Sequence, residues 1–495
     1  MWSAMLTGWV VLDFAVVVLS IACWPPILLS RKQPVSMLAW LLGVTFIPVA
    51  GPLFFLVFGL ERRLPGLPRK KRLADEKLRR QLGSTEAGGE PSDSREARQR
   101  ECEAGIEGAL RVARRVAVHA PRSGNSIRLL DGGGEKFPAL LEDIQRASDH
   151  INLEYFIFRE DEFGRRLAGI LEERAAAGVQ VRLLLDGVGS RGLSRSFEWR
   201  LRDGGVRLEW FHPLNPFARR WSINIRNHRK LAVLDGRVGY LGGINLGDEY
   251  LGRDPEVGQW HDLAVRVEGP VVASLQRVFM EDWHFASGEV LKGRRWLPAL
   301  EGEEPEGAAP GEVSAQLVNS FPSEDLVTEM HQVYFSMLAA ARRQAWLMTP
   351  YFVPDEAIQI ALAGRALAGV DVRLVVPERA PERLMDFASR SFYPQLLEAG
   401  ARLFCFRPDA TLHAKALLID GELSLVGSAN LDNRSFRINF ESGLLVHDPG
   451  FAGELEGFFE RKMALSSERH LKDFARRPWH RKTLEALARL AAPLF

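Results

Sequence analysis

Two stretches of this chain set histidine and lysine at a spacing suited to chemistry on a phosphate. Residues 227–245 read NHRKLAVLDGRVGYLGGIN and residues 413–430 read HAKALLIDGELSLVGSAN. Both fit one template, H-x-K-x4-D-x6-G-[GS]-x-N. His228, Lys230, Asp235, Gly243 and Asn245 therefore have counterparts in His413, Lys415, Asp420, Ser428 and Asn430. Side chains at i and i+2 of an extended segment share a face, so each copy sets an imidazole beside an ammonium. The apolar residues after each lysine, closed by Asp-Gly, predict a strand ending in a tight hairpin. The Gly/Ser and Asn positions follow the return strand, where the chain is expected to enter a helix. Small residues there let backbone approach a ligand, and a helix start attracts anions. Imidazole, ammonium and carboxamide around one point form a phosphate-binding set with a titratable nucleophile or acid. A single such string arises readily by accident, but two copies sharing one tail do not.

The elements that must position these strings repeat too. Residues 151–158 predict a strand, 162–178 a helix and 179–186 a second strand. Residues 347–353, 354–369 and 370–377 follow the same order, and 207–211 and 402–406 then lead into the two histidine strings. Apolar strands alternating with helices imply a largely parallel sheet covered by helices. Two α/β halves facing each other across one site would account for the pattern. The acidic, Pro/Gly/Ala-rich run at 301–312 is the natural seam between them.

Paired H-x-K-x4-D strings mark the phospholipase D superfamily. With NHRK at 227–230, TPYFVPD at 349–355 and GSANLDNRSF at 427–436, the chain resembles the bacterial cardiolipin synthase family over nearly its whole length. The resemblance implies an α/β fold of two pseudo-repeated phospholipase D-type halves, with mixed β-sheets flanked by helices, after two N-terminal transmembrane helices. It implies transfer of a phosphatidyl group from phosphatidylglycerol to a second phospholipid, releasing glycerol, through a phosphohistidine. By the same resemblance His228 is the nucleophile and His413 the acid. Each imidazole would be oriented by a carboxylate further along its own repeat, for which Asp262 and Glu441 are the matching residues. Lys230, Lys415, Asn245 and Asn430 would hold the non-bridging oxygens, with Gly243 and Ser428 beside them, so the chemistry demands no metal and no cofactor. Asp235 and Asp420 belong to the catalytic strings, yet their place at a hairpin turn suits a role in the fold more than contact with substrate. Arg434 and Ser435 follow the second string and have no equivalent after the first, so the halves are not equivalent.

Hydrolysis or general transphosphatidylation at the same site, a superfamily nuclease and an inactive membrane scaffold are the competing readings. The apolar N-terminus and the lack of a strongly basic domain weigh against a nuclease. Both histidines, lysines and asparagines are intact, which weighs against a scaffold.

At 495 residues there is room for two or three domains, and a net charge of +1 leaves anion binding to local clusters. Cys23, Cys102 and Cys405 form neither a disulfide framework nor a zinc pattern, as suits a reducing compartment. Residues 5–29 and 35–60 are apolar runs long enough to span a bilayer, which takes about 20 residues. A cleaved signal peptide fits less well, because no basic stretch precedes the first run and the second follows at once. Arg62, Arg63, Arg69, Lys70, Lys71 and Arg72 outweigh Arg31 and Lys32, which places the catalytic part on the cytoplasmic side of the cell membrane. The same basic run could also hold anionic head groups.

The expected organisation is a membrane anchor at 1–62, a basic connecting segment with a flexible loop at 63–125 and a first repeat at 126–300. The linker at 301–312, a second repeat at 313–465 and a basic amphipathic C-terminal helix at 466–495 complete it. Residues 213–226 interleave Phe217 and Trp221 with Arg219, Arg220 and Arg226, as either a surface loop or a flap at the membrane. Leu484, Leu487 and Leu490 recur at helical spacing among Arg477, Arg481, Lys482 and Arg489. Such a stripe is expected to dock on its own domain rather than on a bilayer. The expected partners are phospholipid substrates and a membrane, not nucleic acid. The acceptor lipid and the oligomeric state stay open.

Overall fold

A computed structural model of the chain describes residues 17–28, 34–56, 100–213, 222, 224–254, 258–298, 312–322, 328–380 and 382–490. The basic run at 62–72, the seam at 301–311, and Phe217, Arg219, Arg220 and Trp221 lie outside these residues.

Among the described residues fifteen strands join in one mixed sheet. Its first half runs, in spatial order, Arg122–Asp131, Leu263–Glu268, Val238–Gly242, Lys230–Leu234, His150–Tyr155, Gln180–Leu185 and Arg207–Trp210. The second half repeats that order with Val313–Ser320, Glu441–His447, Leu423–Gly427, Ala416–Ile419, Gln344–Met348, Asp371–Pro377 and Arg402–Phe406, and adds Ser466–Arg469 at the edge. The halves meet where Arg122–Asp131 and Val313–Ser320 pair antiparallel. The expected parallel pairing is confined to the three outer strands of each repeat. Hairpins carrying the histidine strings fill the middle and make the sheet mixed.

The strands are apolar because helices cover both faces. Every residue of Lys230–Leu234 is buried. On one side of this half lie the helices Gly133–Arg146 and Glu162–Ala176, contributing Phe137, Leu140, Leu167 and Leu171 to the core. On the other, the helices Val272–Ser287 and Pro449–Ala464 close a core that includes Leu231 and Val278 from the first half with Leu418 and Phe458 from the second. One hydrophobic core thus spans both repeats, which fixes them against each other.

Each Asp-Gly turn has both residues left-handed, with φ of 51° and 64° at Asp235 and Gly236 and 53° and 67° at Asp420 and Gly421. This is the pattern of a type I′ hairpin turn, which Asp-Gly tolerates best. The aspartate does a second job. Asp235 accepts the backbone N–H groups of Ser148, Asp149 and His150 at 2.8, 2.9 and 2.8 Å. Asp420 accepts those of Arg342, Arg343 and Gln344 at 2.9, 2.8 and 2.8 Å. Each carboxylate therefore pins its hairpin to the start of the neighbouring strand, away from the histidine end.

At the N-terminus, residues 17–28 and Pro34–Phe46 are helical and meet through Cys23, Ile27, Trp40 and Val44. Val17, Ile21, Leu28, Leu38, Leu42 and Phe46 face outward. No helix of the described residues is long and apolar enough to cross a membrane, and the expected runs at 5–29 and 35–60 extend beyond them. At the other end, the helix Trp479–Leu490 buries Glu485 and Ala488 and leaves Leu484, Leu487 and Leu490 exposed, the reverse of the expected docking. The cause is local: Glu485 pairs with Arg477, and the Arg489 guanidinium lies 4.4 Å from the centre of the Phe392 ring, so the polar and small-residue side faces the domain.

Replacing either turn aspartate should weaken the fold rather than the chemistry. Asp235→Ala and Asp420→Ala strand three backbone donors apiece, most of them partly buried, and each is expected to cost roughly 1–3 kcal/mol in denaturant unfolding, with the folded fraction keeping its turnover.

Candidate active site

The two histidine strings are brought together by the backbone before any side chain is considered. His228 donates its N–H to the Phe440 carbonyl at 2.9 Å, and His413 donates its own to the His261 carbonyl at 2.7 Å. The acceptors are the residues just before Glu441 and Asp262. The strand Gln259–His261 also runs parallel with Ala410–Leu412, and Asn227 bridges to Phe440. Each histidine is thus strapped to the segment that carries the other repeat's carboxylate.

The side chains complete the exchange. His228 Nδ1 lies 3.0 Å from both carboxylate oxygens of Glu441, and His413 Nδ1 lies 2.7 Å from Asp262 Oδ2. This corrects the expectation that each imidazole is oriented from within its own repeat. The pairing is crossed, because the strands after each hairpin lead the carboxylate across to the facing repeat. A carboxylate at Nδ1 fixes the tautomer with Nδ1–H donated and leaves Nε2 as the working atom. The imidazole side chains are 13% and 12% exposed while Glu441 and Asp262 are fully buried, so only the rings reach the mouth of the site. Phe156 packs edge-on against His228 with ring centres 5.0 Å apart, and Trp260 sits 5.1 Å from His413.

Both lysines fold back onto their own histidines. Lys230 Nζ donates to the His228 carbonyl at 2.7 Å, and Lys415 Nζ donates to the His413 carbonyl and lies 3.0 Å from His413 Nε2. Burial and the Lys415 ammonium hold His413 down to about 4, against the pull of Asp262. His228 is likewise lowered, by burial first, with Glu441 opposing and both ammoniums assisting. Lys415 is brought down to about 8 by burial, and Lys230 well below its ordinary value by the same cause. Burial would raise Glu441 and Asp262, but His228 holds the first and Lys415 with His413 the second below the usual range. Each lysine is felt at the other repeat's imidazole, which makes this one site and not two. The resting arrangement is two neutral imidazoles, each backed by a carboxylate and flanked by ammoniums able to meet an anion.

The remaining expected residues separate. Gly243 and Ser428, grouped with the phosphate-binding residues, sit behind the carboxylates instead. A Cβ at Gly243 would lie 2.2 Å from Asp262 Oδ1, so glycine there makes room for the group that holds His413. At the matching position the Ser428 hydroxyl donates to Glu441 at 2.5 Å. Asn245 accepts from the Ile157 N–H and donates to the Tyr250 hydroxyl, both at 3.1 Å, which ties it to the neighbouring loop. Among the described residues the Asn430 side-chain oxygen is buried without a hydrogen-bond partner; it is an acceptor, so a phosphate oxygen would be met by the N–H2 of the same amide.

Two functional neighbours had no signal in the sequence. Arg229 alternates with His228 and Lys230 and so points the other way. It is buried, paired with Asp282, and donates from Nε to the Glu441 carbonyl at 3.3 Å, a tether between the repeats. Lys136 lies in the helix Gly133–Arg146, with Nζ donating to the Ile244 carbonyl at 2.6 Å and resting 4.7 Å from the centre of the Tyr155 ring. Burial brings it down to about 7, with Asp262 opposing. Among the described residues no group of His, Cys, Asp and Glu has the make-up of a metal site.

The family described as "Cardiolipin synthase, PLD-like domain" matches residues 140–283 and 334–463, and "Phospholipase_D-nuclease N-terminal" matches residues 18–59. "Cardiolipin synthase 2" of Bacillus anthracis is 37% identical over 471 residues, covering 95% of this chain and 88% of its own. "Cardiolipin synthase" of Halalkalibacterium halodurans is 35% identical over 494 residues, 99% of this chain and 95% of its own. Among solved structures, the phosphatidylserine synthase of Haemophilus influenzae superposes with a TM-score of 0.61 at 16% identity, covering 78% of this chain and all of that one, a likeness of fold.

The crossed pairing has a direct spectroscopic consequence. Glu441→Gln removes the carboxylate that favours protonated His228, so the His228 pKa should fall and its tautomers mix while His413 is little changed. Asp262→Asn should do the opposite. Nitrogen-15 NMR of imidazole-labelled protein reads both, and a shift at the histidine of the same repeat would contradict the crossing.

Proposed function

The chain belongs to the cardiolipin synthase family of phospholipase D-like proteins, and from that premise we propose how its crossed imidazoles carry phosphatidyl transfer. The enzyme is a phosphatidyltransferase that joins a phosphatidyl group from phosphatidylglycerol to a second phospholipid, with loss of glycerol. The observation that supports the mechanism is the crossed pairing of each imidazole with the other repeat's buried carboxylate, with both lysines close enough to act on both rings.

In the first half-reaction His228 Nε2 attacks phosphorus. The N–P bond forms as the P–O bond to glycerol breaks, and His413 gives its Nε2 proton to the departing oxygen. His413 is neutral in the free chain, but a bound phosphodiester places negative charge beside Lys415 and raises the ring's affinity for a proton. In the second half-reaction the hydroxyl of the incoming lipid returns a proton to His413 as its oxygen replaces nitrogen on phosphorus. Glu441 and Asp262 balance the charge each ring gains in turn. Lys230, Lys415 and Asn430 meet the non-bridging oxygens, where charge rises in the transition state. Dividing the transfer lets one pocket serve a leaving alcohol and then an entering one.

We place this site on the cytoplasmic side of the cell membrane, anchored by the runs at 5–29 and 35–60. The outward apolar residues of the N-terminal helices and the family match at 18–59 support the anchor. Phosphatidylglycerol is the expected acceptor as well as donor, because a water-poor mouth at the bilayer favours a lipid alcohol over water.

Purified protein given phosphatidylglycerol vesicles should yield cardiolipin and glycerol in equal amounts. Phosphatidic acid as the main product would indicate hydrolysis instead. His228→Ala and His413→Ala should each lower turnover by at least about 10³-fold, and wild type quenched in mildly alkaline denaturant, which spares the acid-labile N–P bond, should hold a phosphatidyl group on His228. The pH profile of kcat/KM should decline above about 4, where free His413 loses its proton, and fall more steeply above about 8, where Lys415 loses its own and its hold on phosphate. A profile that does not steepen up to pH 10 would remove Lys415 from the phosphate site.

A further inference from the structure

The helix Trp479–Leu490 turns an apolar side away from the protein. Trp479 is 78% exposed, Leu484 50%, Leu487 56% and Leu490 74%. Trp479, Leu487 and Leu490 fall on one side at a 3.6-residue period, with Leu484 at its border. The opposite side is fastened to the domain by buried Ala488, by Glu485 paired with Arg477, and by Arg489 over Phe392. A soluble surface scatters its exposed apolar residues singly, and so many on three turns mark a contact surface.

The charges around this side identify what it meets. Arg476 just before the helix and Lys482 and Arg489 along its flank are exposed, and the helix's one acidic residue, Glu485, is buried in its ion pairs with Arg477 and Arg481. A surface of Trp and Leu flanked by exposed arginine and lysine, with no exposed acidic residue on the helix, matches the boundary of an anionic bilayer. A second copy of the chain fits poorly, because a twofold contact here would bring these same cations face to face.

We propose that the helix Trp479–Leu490 lies in the interface of an anionic phospholipid bilayer, as a membrane contact separate from the N-terminal segment. Its choice of occupant rests on the phospholipid substrate argued above. The contact would hold the catalytic body against the sheet of lipid from which substrate is drawn, with the indole at the head-group level and the leucines below it.

The test uses the full chain with Cys23, Cys102 and Cys405 replaced and a nitroxide attached at Leu487→Cys, in vesicles of phosphatidylglycerol or of phosphatidylcholine. The label should be open to oxygen and shielded from a water-soluble nickel chelate in phosphatidylglycerol, and lose much of that shielding in phosphatidylcholine. Equal nickel access in both would overturn the inference, as would dipolar broadening between labels, which would show a second copy. In parallel, the triple variant Leu484→Gln, Leu487→Gln, Leu490→Gln should raise the phosphatidylglycerol surface concentration needed for half-maximal rate about tenfold. Turnover of a short-chain, monomerically dissolved phosphatidylglycerol should stay unchanged. A shielded label on a protein that makes no cardiolipin would sink the enzymatic reading and leave the membrane contact standing.

Discussion

The structure depends on an exchange of partners: the imidazole of each repeat is held by a carboxylate of the other. Burying Glu441 and Asp262 is costly unless each is matched by a cation or a strong donor. The match exists only when the two repeats are seated together, since the backbone straps from His228 to Phe440 and from His413 to His261 cross the same boundary. Electrostatics, strand pairing and the shared apolar core therefore point to one register between the halves. Catalytic geometry is a by-product of that register, and Arg229, reaching from the first string to the Glu441 carbonyl, reinforces it.

The duplication also shows how one position can solve one problem twice. Behind His413 the carboxylate of Asp262 needs room, and Gly243 supplies it by having no side chain. Behind His228 the carboxylate of Glu441 needs a donor, and Ser428 supplies a hydroxyl. The repeats have diverged in how their acids are supported while keeping the two imidazoles and two ammoniums alike. This unequal support gives the proposed division of roles between the two rings a physical basis.

Much of this was legible in the chain itself. The paired strings, the strand–helix–strand order and the Asp-Gly turns are local signals, and local signals survive folding. Even the role of Asp235 could be argued from its place at a turn. What stayed hidden depends on contacts between residues far apart in sequence. Nothing near His228 says that its partner is Glu441 and not Asp262, because the choice is made by how the two repeats join. Lys136 sits in an ordinary helix start and becomes notable only when Ile244 and Tyr155 close over it. The C-terminal stripe misled for a different reason. Periodicity reveals that a helix has two sides but not which one is inside, and here an ion pair and an alanine were enough to claim the inner side.

The seam between Arg122–Asp131 and Val313–Ser320, with a core continuous across it, rules out a clamshell. Parting the repeats to admit a lipid would tear strand pairing, open the apolar interior and pull each histidine from its acid in a single movement. A lipid must therefore reach the two histidines with the repeats still joined, and a product must leave without separating them.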